Sequence, residues 1–206
     1  LDDFDKTIDL DAGSVSAYYN RGNTLLEIGQ LAAAIKDYTQ TLALKPDHVG
    51  AYTNRAAARL SAGDPEGAFE DCDRVIQIAP HEASVHHIRA NARVKIGDLS
   101  GAITDYDRAI QLNPDRYESY FMRANTQLAR GDWRRAIIDY DRVIELLPDG
   151  PMRGKAYSNR GWARINVGDP ELAITDCDQA IGLLLEGPDK IIAYNRRGLA
   201  RKGMGD

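Results

Sequence analysis

Cysteine is scarce in this chain: its 206 residues contain only Cys72 and Cys177. Two thiols are too few to build a disulfide-stapled fold, and neither sits in a C-x-x-C pair, so nothing points to a disulfide framework, a cysteine zinc site or a dithiol redox site. A reducing compartment is compatible with this, which favours the cytoplasm. Basic charge is not in excess either. Lys and Arg number 26 against 31 Asp and Glu, a net charge of -5, so no global positive field draws the chain to nucleic acid or anionic lipid. No nucleic-acid partner is expected. No apolar run approaches the ~20 residues of a membrane-spanning helix. There is no phosphate-cradling loop, no nucleophile-base-acid triad and no zinc-ligand spacing, so no catalytic residue, cofactor or metal is predicted. The adjacent His86 and His87 diverge by about 100° on a helix, unlike a metal-binding pair one turn apart. An initiating Met is missing as well. The chain opens at Leu1 inside a helical pattern, so the natural N-terminus is expected upstream.

What the sequence has in abundance is self-similarity, and repeats are the first thing to seek. Ala34, Ala68, Ala102 and Ala136 recur every 34 residues, in step with Pro46, Pro80, Pro114 and Pro148 and with Gly29, Gly63, Gly97 and Gly131. The phrase Ala102-Ile-Thr-Asp-Tyr-Asp-Arg-Ala-Ile110 returns nearly intact from Ala136 to Ile144. It returns again from Ala173 to Ile181, three residues late because of an insertion around Pro151 to Arg153. A second insertion lies near Glu186 to Pro188.

Each unit reads as two helices. One runs from Ala17 to Ile28 and is broken by Gly29, since glycine supplies the left-handed residue that closes a helix. The other runs from Leu31 to Leu44 and is stopped by Pro46. On it Ala34, Ile35, Tyr38, Thr41 and Leu42 fall on one apolar stripe. Small residues mark the crossing of the pair, Gly22 facing Ala34, Ala56 facing Ala68 and Ala90 facing Ala102; larger ones would overpack it at a cost of ~1–3 kcal/mol. Asp64 and Asp169, each before Pro, are expected N-caps. Cys72, Cys177 and His86 occupy apolar positions and are expected in the packing.

These residues resemble the tetratricopeptide repeat. Counted within the unit, position 4 is aromatic in Tyr18, Tyr52, Tyr120, Tyr157 and Tyr194. Position 8 is small in Gly22, Ala56, Ala90, Ala124, Gly161 and Gly198, and position 24 is aromatic in Phe4, Tyr38, Tyr106 and Tyr140. The resemblance covers the whole chain. It implies an all-α, right-handed α-solenoid of stacked antiparallel hairpins. Residues 1–14 would be the second helix of a partial repeat. Four repeats follow at 15–48, 49–82, 83–116 and 117–150, a fifth with both insertions at 151–190, and a lone first helix at 191–206. The uncovered terminal faces suggest a longer array, or head-to-tail association of two copies.

The chain departs from the family pattern at position 7, which is always arginine (Arg21, Arg55, Arg89, Arg123, Arg160, Arg197). It departs again at position 23, always aspartate (Asp3, Asp37, Asp71, Asp105, Asp139, Asp176). The fixed phase predicts a structural ladder of ion pairs between neighbouring repeats, Asp3 with Arg21, Asp37 with Arg55 and so on. A basic stripe for an acidic ligand is the other reading. Arg59, Arg93, Arg164 and Arg201 recur at position 11 and have no assigned role beyond covering apolar surface with their stems.

In the family the first helices line a concave face that takes an extended peptide or a partner helix. The positions here that match that face carry Tyr19, Asn20, Asn23, Asn54, His87, Asn91, Phe121, Asn125, Asn159, Trp162, Asn195 and Arg196. An asparagine amide both donates and accepts, so it can hold a peptide backbone regardless of sequence. It can equally bond to its own scaffold, and both readings stay open. Phe121, Trp162 and Tyr19 are candidate anchors. The related carboxylate-clamp domains, which hold chaperone C-termini, are matched at Asn125, Asn159 and Arg196. Phe121 and Ile192, however, stand where that clamp needs lysines. The implied function is a protein-interaction scaffold. The alternatives are a recruiting arm of a larger enzyme and a self-assembling array.

Overall fold

The computed structural model describes residues 1–205. Their regular structure is entirely helical. Twelve helices follow one another: α1 (Asp2–Leu10), α2 (Val15–Glu27), α3 (Leu31–Leu44), α4 (Val49–Ser61), α5 (Pro65–Ile78), α6 (Ala83–Ile96), α7 (Leu99–Leu112), α8 (Tyr117–Arg130), α9 (Trp133–Leu146), α10 (Pro151–Val167), α11 (Pro170–Leu183) and α12 (Pro188–Met204). They form two compact units, residues 1–112 and 113–206. In the first, each helix from α2 to α7 packs on the next. The first helices α2, α4 and α6 also touch in succession, and α1 lies on α2 alone. In the second, α8 to α12 pack in the same serial way, with α10 against both α8 and α12. This is the arrangement of an α-solenoid, in which each hairpin buries its apolar stripe on its immediate neighbours.

The local chemistry that makes a hairpin is the same each time. The first helix ends at a glycine in the left-handed region: Gly29 at φ 77°, Gly63 at 85°, Gly97 at 93°, Gly131 at 82° and Gly168 at 87°. A side chain strains that conformation. The chain then folds back so that Asp64 N–H bonds the Arg59 carbonyl at 2.9 Å and Asp98 N–H that of Arg93 at 2.9 Å, satisfying carbonyls the helix end would orphan. The second helix stops before proline. Lys45, Ala79 and Leu147, which precede Pro46, Pro80 and Pro148, have left the helical region.

Several expectations are corrected. The first helix of the first hairpin is Val15–Glu27, not Ala17–Ile28. Asp64 does cap α5, accepting from Gly67 N–H, whereas Asp169 makes no side-chain cap bond; Asp98, with no proline after it, accepts from Gly101 N–H at 2.9 Å in the same way as Asp64. A Cβ on Gly22 would meet the Tyr38 ring at 2.9 Å, so that glycine makes room chiefly for Tyr38 rather than Ala34. The insertions do not bulge out as loops. They lengthen α10 and α12 to 17 residues at their N-termini, each starting on a proline, which suits the first helical turn because its missing N–H would be unpaired there anyway.

Candidate functional site

The ladder is the most regular feature of both units. Five aspartates of the second helices, Asp37, Asp71, Asp105, Asp139 and Asp176, are at most 3% exposed. Each receives a two-pronged guanidinium from the first helix of its own hairpin, sixteen residues earlier. Arg21 Nε and Nη2 reach Asp37 at 2.7 and 2.7 Å; Arg55 reaches Asp71 at 2.9 and 2.6 Å; Arg89 reaches Asp105 at 2.9 and 2.6 Å. Arg123 reaches Asp139 at 2.8 and 2.6 Å, and Arg160 reaches Asp176 at 3.0 and 2.5 Å. The pairing of Asp3 with Arg21 and of Asp37 with Arg55 is therefore corrected. The carboxylate at position 23 serves its own hairpin, and Asp3 is exposed.

A bond to the preceding hairpin does exist, through a different residue two places on. The remaining nitrogen, Nη1, of Arg21 donates to Asp5 at 2.6 Å, of Arg89 to Asp73 at 2.6 Å, of Arg160 to Asp141 at 2.5 Å and of Arg197 to Asp178 at 2.5 Å. In Arg55 it donates to Thr39 Oγ1 at 3.0 Å instead. Arg21, Arg55, Arg89 and Arg160 thus each lock their own hairpin with two nitrogens and tie it to the previous one with the third. The fork geometry of guanidinium allows this and a lysine could not reproduce it. The position 4 ring stacks on the same group: Tyr52 lies 5.4 Å from the Arg55 guanidinium and Tyr157 5.2 Å from that of Arg160.

The second arginines also gain a role. Arg59 Nη1 bonds the Gly67 carbonyl at 2.9 Å and Asp71 at 3.0 Å, and Arg93 does the same to Gly101 at 2.9 Å and Asp105 at 3.0 Å. Arg164 reaches Leu172 O at 3.3 Å and Asp176 at 2.9 Å. Burial pushes the Asp105 carboxyl up, but the charged donors around it outweigh burial and hold it below the usual carboxylate range. His86 Nδ1, at 3.8 Å, is too far for a hydrogen bond, so the Arg89 fork at 2.6 Å carries that effect.

The face of the first helices carries a second network. Tyr38 OH donates to Asn23 Oδ1 at 2.9 Å, Tyr106 OH to Asn91 at 2.5 Å and Tyr140 OH to Asn125 at 2.6 Å. The next hairpin adds to it: Asn54 Nδ2 donates to Asn23 at 2.8 Å and to Tyr19 OH at 3.3 Å, and Asn159 Nδ2 to Asn125 at 3.2 Å. Asn23, Asn91 and Asn125 therefore bond to their own scaffold. Asn20 and Asn195 are exposed, Tyr19, Asn54, Phe121, Asn159 and Trp162 are half-buried, and His87 is buried, edge-on to Tyr106 with ring centres 5.6 Å apart.

The sequence carries the signal for this pairing. Where position 24 is tyrosine, position 9 is asparagine; where position 24 is Cys72 or Cys177, position 9 is Ala57 or Trp162. Both cysteines are fully buried, and burial pushes the Cys72 thiol up to about 12 and the Cys177 thiol up to about 11, so neither forms a reactive thiolate near neutral pH.

At one end of the second unit this face hollows into a cavity of about 90 Å3 lined by Phe121, Lys155, Ser158, Asn159, Leu184, Asp189, Ile192 and Arg196. Arg196 Nη1 donates to Ser158 Oγ at 2.8 Å and to Asn159 Oδ1 at 2.8 Å, and its guanidinium lies over the Trp162 ring at 5.9 Å. Lys155 pairs with Asp189 at 2.9 Å. Among the described residues no group of three His, Cys, Asp or Glu is placed to hold a metal, and no helix is long and apolar enough to cross a membrane.

Serial hairpins with a side-chain network along one face of the first helices define a helical-repeat protein. The chain belongs to the tetratricopeptide repeat family, whose profile matches residues 19–83, 89–151 and 122–189. Solved structures agree in fold. YrrB, a TPR protein with an unusual peptide-binding site, is 20% identical with a TM-score of 0.75 over 95% of this chain and 97% of its own. The MamA protein is 23% identical, TM-score 0.73, over 82% and 90%. The first TPR of Spaghetti (RPAP3), bound to the HSP90 peptide SRMEEVD, is 24% identical, TM-score 0.55, over 58% and 94%. No curated protein matches the chain.

Proposed function

We propose that the chain is a protein-interaction scaffold that takes an extended peptide or a partner helix along the face of its first helices. The observation that carries this is the contrast between its two networks. The ladder aspartates lie buried between the helices of each hairpin, each held by a two-pronged arginine, so the ladder is architecture. The first-helix face instead leaves polar groups and rings within reach of solvent: exposed Asn20 and Asn195, and half-buried Tyr19, Asn54, Phe121, Asn159 and Trp162. Half-buried aromatic rings beside fixed amides are the elements of a peptide groove, anchors beside backbone-reading groups. Two structural neighbours are described with peptides, YrrB by its peptide-binding site and Spaghetti by the HSP90 peptide, which supports the same class of partner here. Tetratricopeptide repeats generally act as scaffolds rather than enzymes.

Site-specific photo-cross-linking tests this reading. A benzophenone amino acid at Asn20 or Asn195 is expected to capture a partner, and one at the exposed Gln111 of the second helix α7 is not. Equal capture from Gln111, or capture only there, would move the binding surface off the first helices.

A further inference from the structure

The turn edge of the second unit, where a first helix gives way to its second, breaks the repeat at one place. At the start of their second helices the other full hairpins carry Leu31-Ala-Ala, Pro65-Glu-Gly, Leu99-Ser-Gly and Pro170-Glu-Leu, none of them basic. Helix α9 opens instead on Trp133-Arg134-Arg135. The same hairpin lacks the second arginine. Gln127 stands at that position, 5% exposed, and its Oε1 is buried without a hydrogen bond. The positive charge that Arg59, Arg93 and Arg164 direct at a ladder carboxylate is therefore missing from this position, while two extra arginines stand on its edge. Trp133, Arg134 and Arg135 line an open cleft of about 330 Å3 with Gly131, Asp132 and, from the end of α10, Val167. Both arginines are exposed, and among the described residues neither side chain makes a hydrogen bond or an ion pair. Asp132, the one acid in the lining, is neutralised by Arg130 at 3.3 Å. Trp133 is half-buried beside the turn: a Cβ on Gly131 would stand 4.0 Å from the indole Nε1, which has no acceptor of its own among the described residues. One turn on from Arg134 along α9, Ile138 is 66% exposed.

We infer that this cleft is a second docking surface, taking an acidic segment of a partner protein with its carboxylates on Arg134 and Arg135 and an apolar side chain against Trp133. It lies on the turn edge and not on the first-helix face, so either surface can fail without the other. The occupant's chemistry follows from what the cleft offers: one ring, an indole N–H and two guanidinia without carboxylates. A guanidinium takes a carboxylate in its planar fork, and tryptophan beside arginine is the pairing that most often anchors a protein interface. The open volume suits several side chains of one segment rather than a single ion. A nucleic-acid strand fits less well. The turn that follows Val167 carries the exposed Asp169 and Glu171, and the whole chain has a net charge of -5, so a run of phosphates would meet carboxylates beyond the two arginines. A peptide can turn its few acidic groups to the arginines and keep neutral groups toward those acids.

The test uses the whole chain carrying Trp162→Phe, which leaves Trp133 as its one tryptophan. Three probes are compared: a peptide of Gly and Ser around Glu-Leu-Glu-Glu with both ends capped, its Gln-Leu-Gln-Gln counterpart, and a short oligothymidylate. The acidic peptide is expected to shift Trp133 emission in a saturable titration. It should bind about fivefold or more tighter than the neutral peptide, as two exposed ion pairs would supply. Calorimetry repeats the comparison on the chain with Trp162 kept, so the result does not hang on that substitution. Arg134→Gln together with Arg135→Gln should remove the preference for the acidic peptide. Lys36→Gln together with Arg74→Gln takes the same net charge from two exposed positions of the first unit and should leave the preference intact. Equal affinity for the two peptides, Trp133 emission that stays constant, or an equal loss in the two double variants would overturn the docking surface. Oligothymidylate binding tighter than the acidic peptide would overturn its assignment to a protein partner and turn it to nucleic acid.

Discussion

A buried carboxylate has value only through its partners, and the ladder makes that measurable one residue at a time. The Arg55 side chain is 12% exposed and that of Asp71 4%. Truncating Arg55 to alanine leaves Asp71 buried with Arg59 as its one charged donor, and removes the tie to Thr39. Breaking a buried pair from one side costs about 3–5 kcal/mol. Because Arg59 remains, Arg55→Ala is expected near the lower end, about 3 kcal/mol by urea unfolding, against under about 0.5 kcal/mol for the exposed Arg74→Ala. A cost for Arg55→Ala no larger than for Arg74→Ala would show the ladder to be decoration. Acid probes the same chemistry. Asp105 has its folded pKa below the unfolded value of roughly 3.9, so its ionised form contributes stability above about pH 4. That contribution is lost as pH falls through the lower, folded value. An NMR titration of the Asp105 carboxyl should therefore give a midpoint below about 3.9, with the urea midpoint falling over the same interval; a midpoint at or above that value would mean that burial outweighs the charged donors at this rung.

At the scale of the helix, the same substitution has opposite signs depending on where the glycine stands. Gly97 ends α6 at φ 93°, and a Cβ there would touch nothing, so Gly97→Ala is expected to cost about 1–2 kcal/mol of backbone strain alone. Gly182 lies inside α11 with equally open space, and Gly182→Ala is expected to stabilise by about 0.5–1 kcal/mol. Urea midpoints of the two variants, moving in opposite directions, check both. The helices were legible from the sequence for the reason these glycines show: a turn glycine that recurs six times and a stop proline that recurs four times outweigh any single propensity. Second-helix bounds such as Leu31–Leu44 follow from the proline two residues on. Ladder membership was legible too, from fixed phase, but its register was not. Sequence phase says that Arg21 and an aspartate recur together; it cannot say whether the carboxylate sixteen residues later or the one eighteen residues earlier lies within reach. Both Asp37 and Asp3 were in phase, and side-chain reach brought Asp37 and Asp5 to the guanidinium. The asparagines were ambiguous for a similar reason. Their tyrosine partners sit fifteen residues away on the other helix, visible only when positions 9 and 24 are compared together.

For the whole molecule, each helix leans mainly on its immediate neighbours in the chain, and stability in such stacks is close to a sum of local and nearest-neighbour contributions. That makes unfolding separable by probe. Both tryptophans, Trp133 in α9 and Trp162 in α10, belong to the second unit, so their fluorescence reports residues 113–206, while far-ultraviolet circular dichroism reports all twelve helices. A rung broken in the first unit by Arg55→Ala should lower the urea concentration at which helical signal is lost and move the tryptophan transition much less. The two curves would then part company. Breaking the corresponding rung in the second unit with Arg160→Ala should reverse the order, since Arg160 holds Asp176 and Asp141 around the helix that carries Trp162. Coincident curves in both variants would mean that the stack unfolds as one cooperative block. The rungs would then be felt along the whole chain.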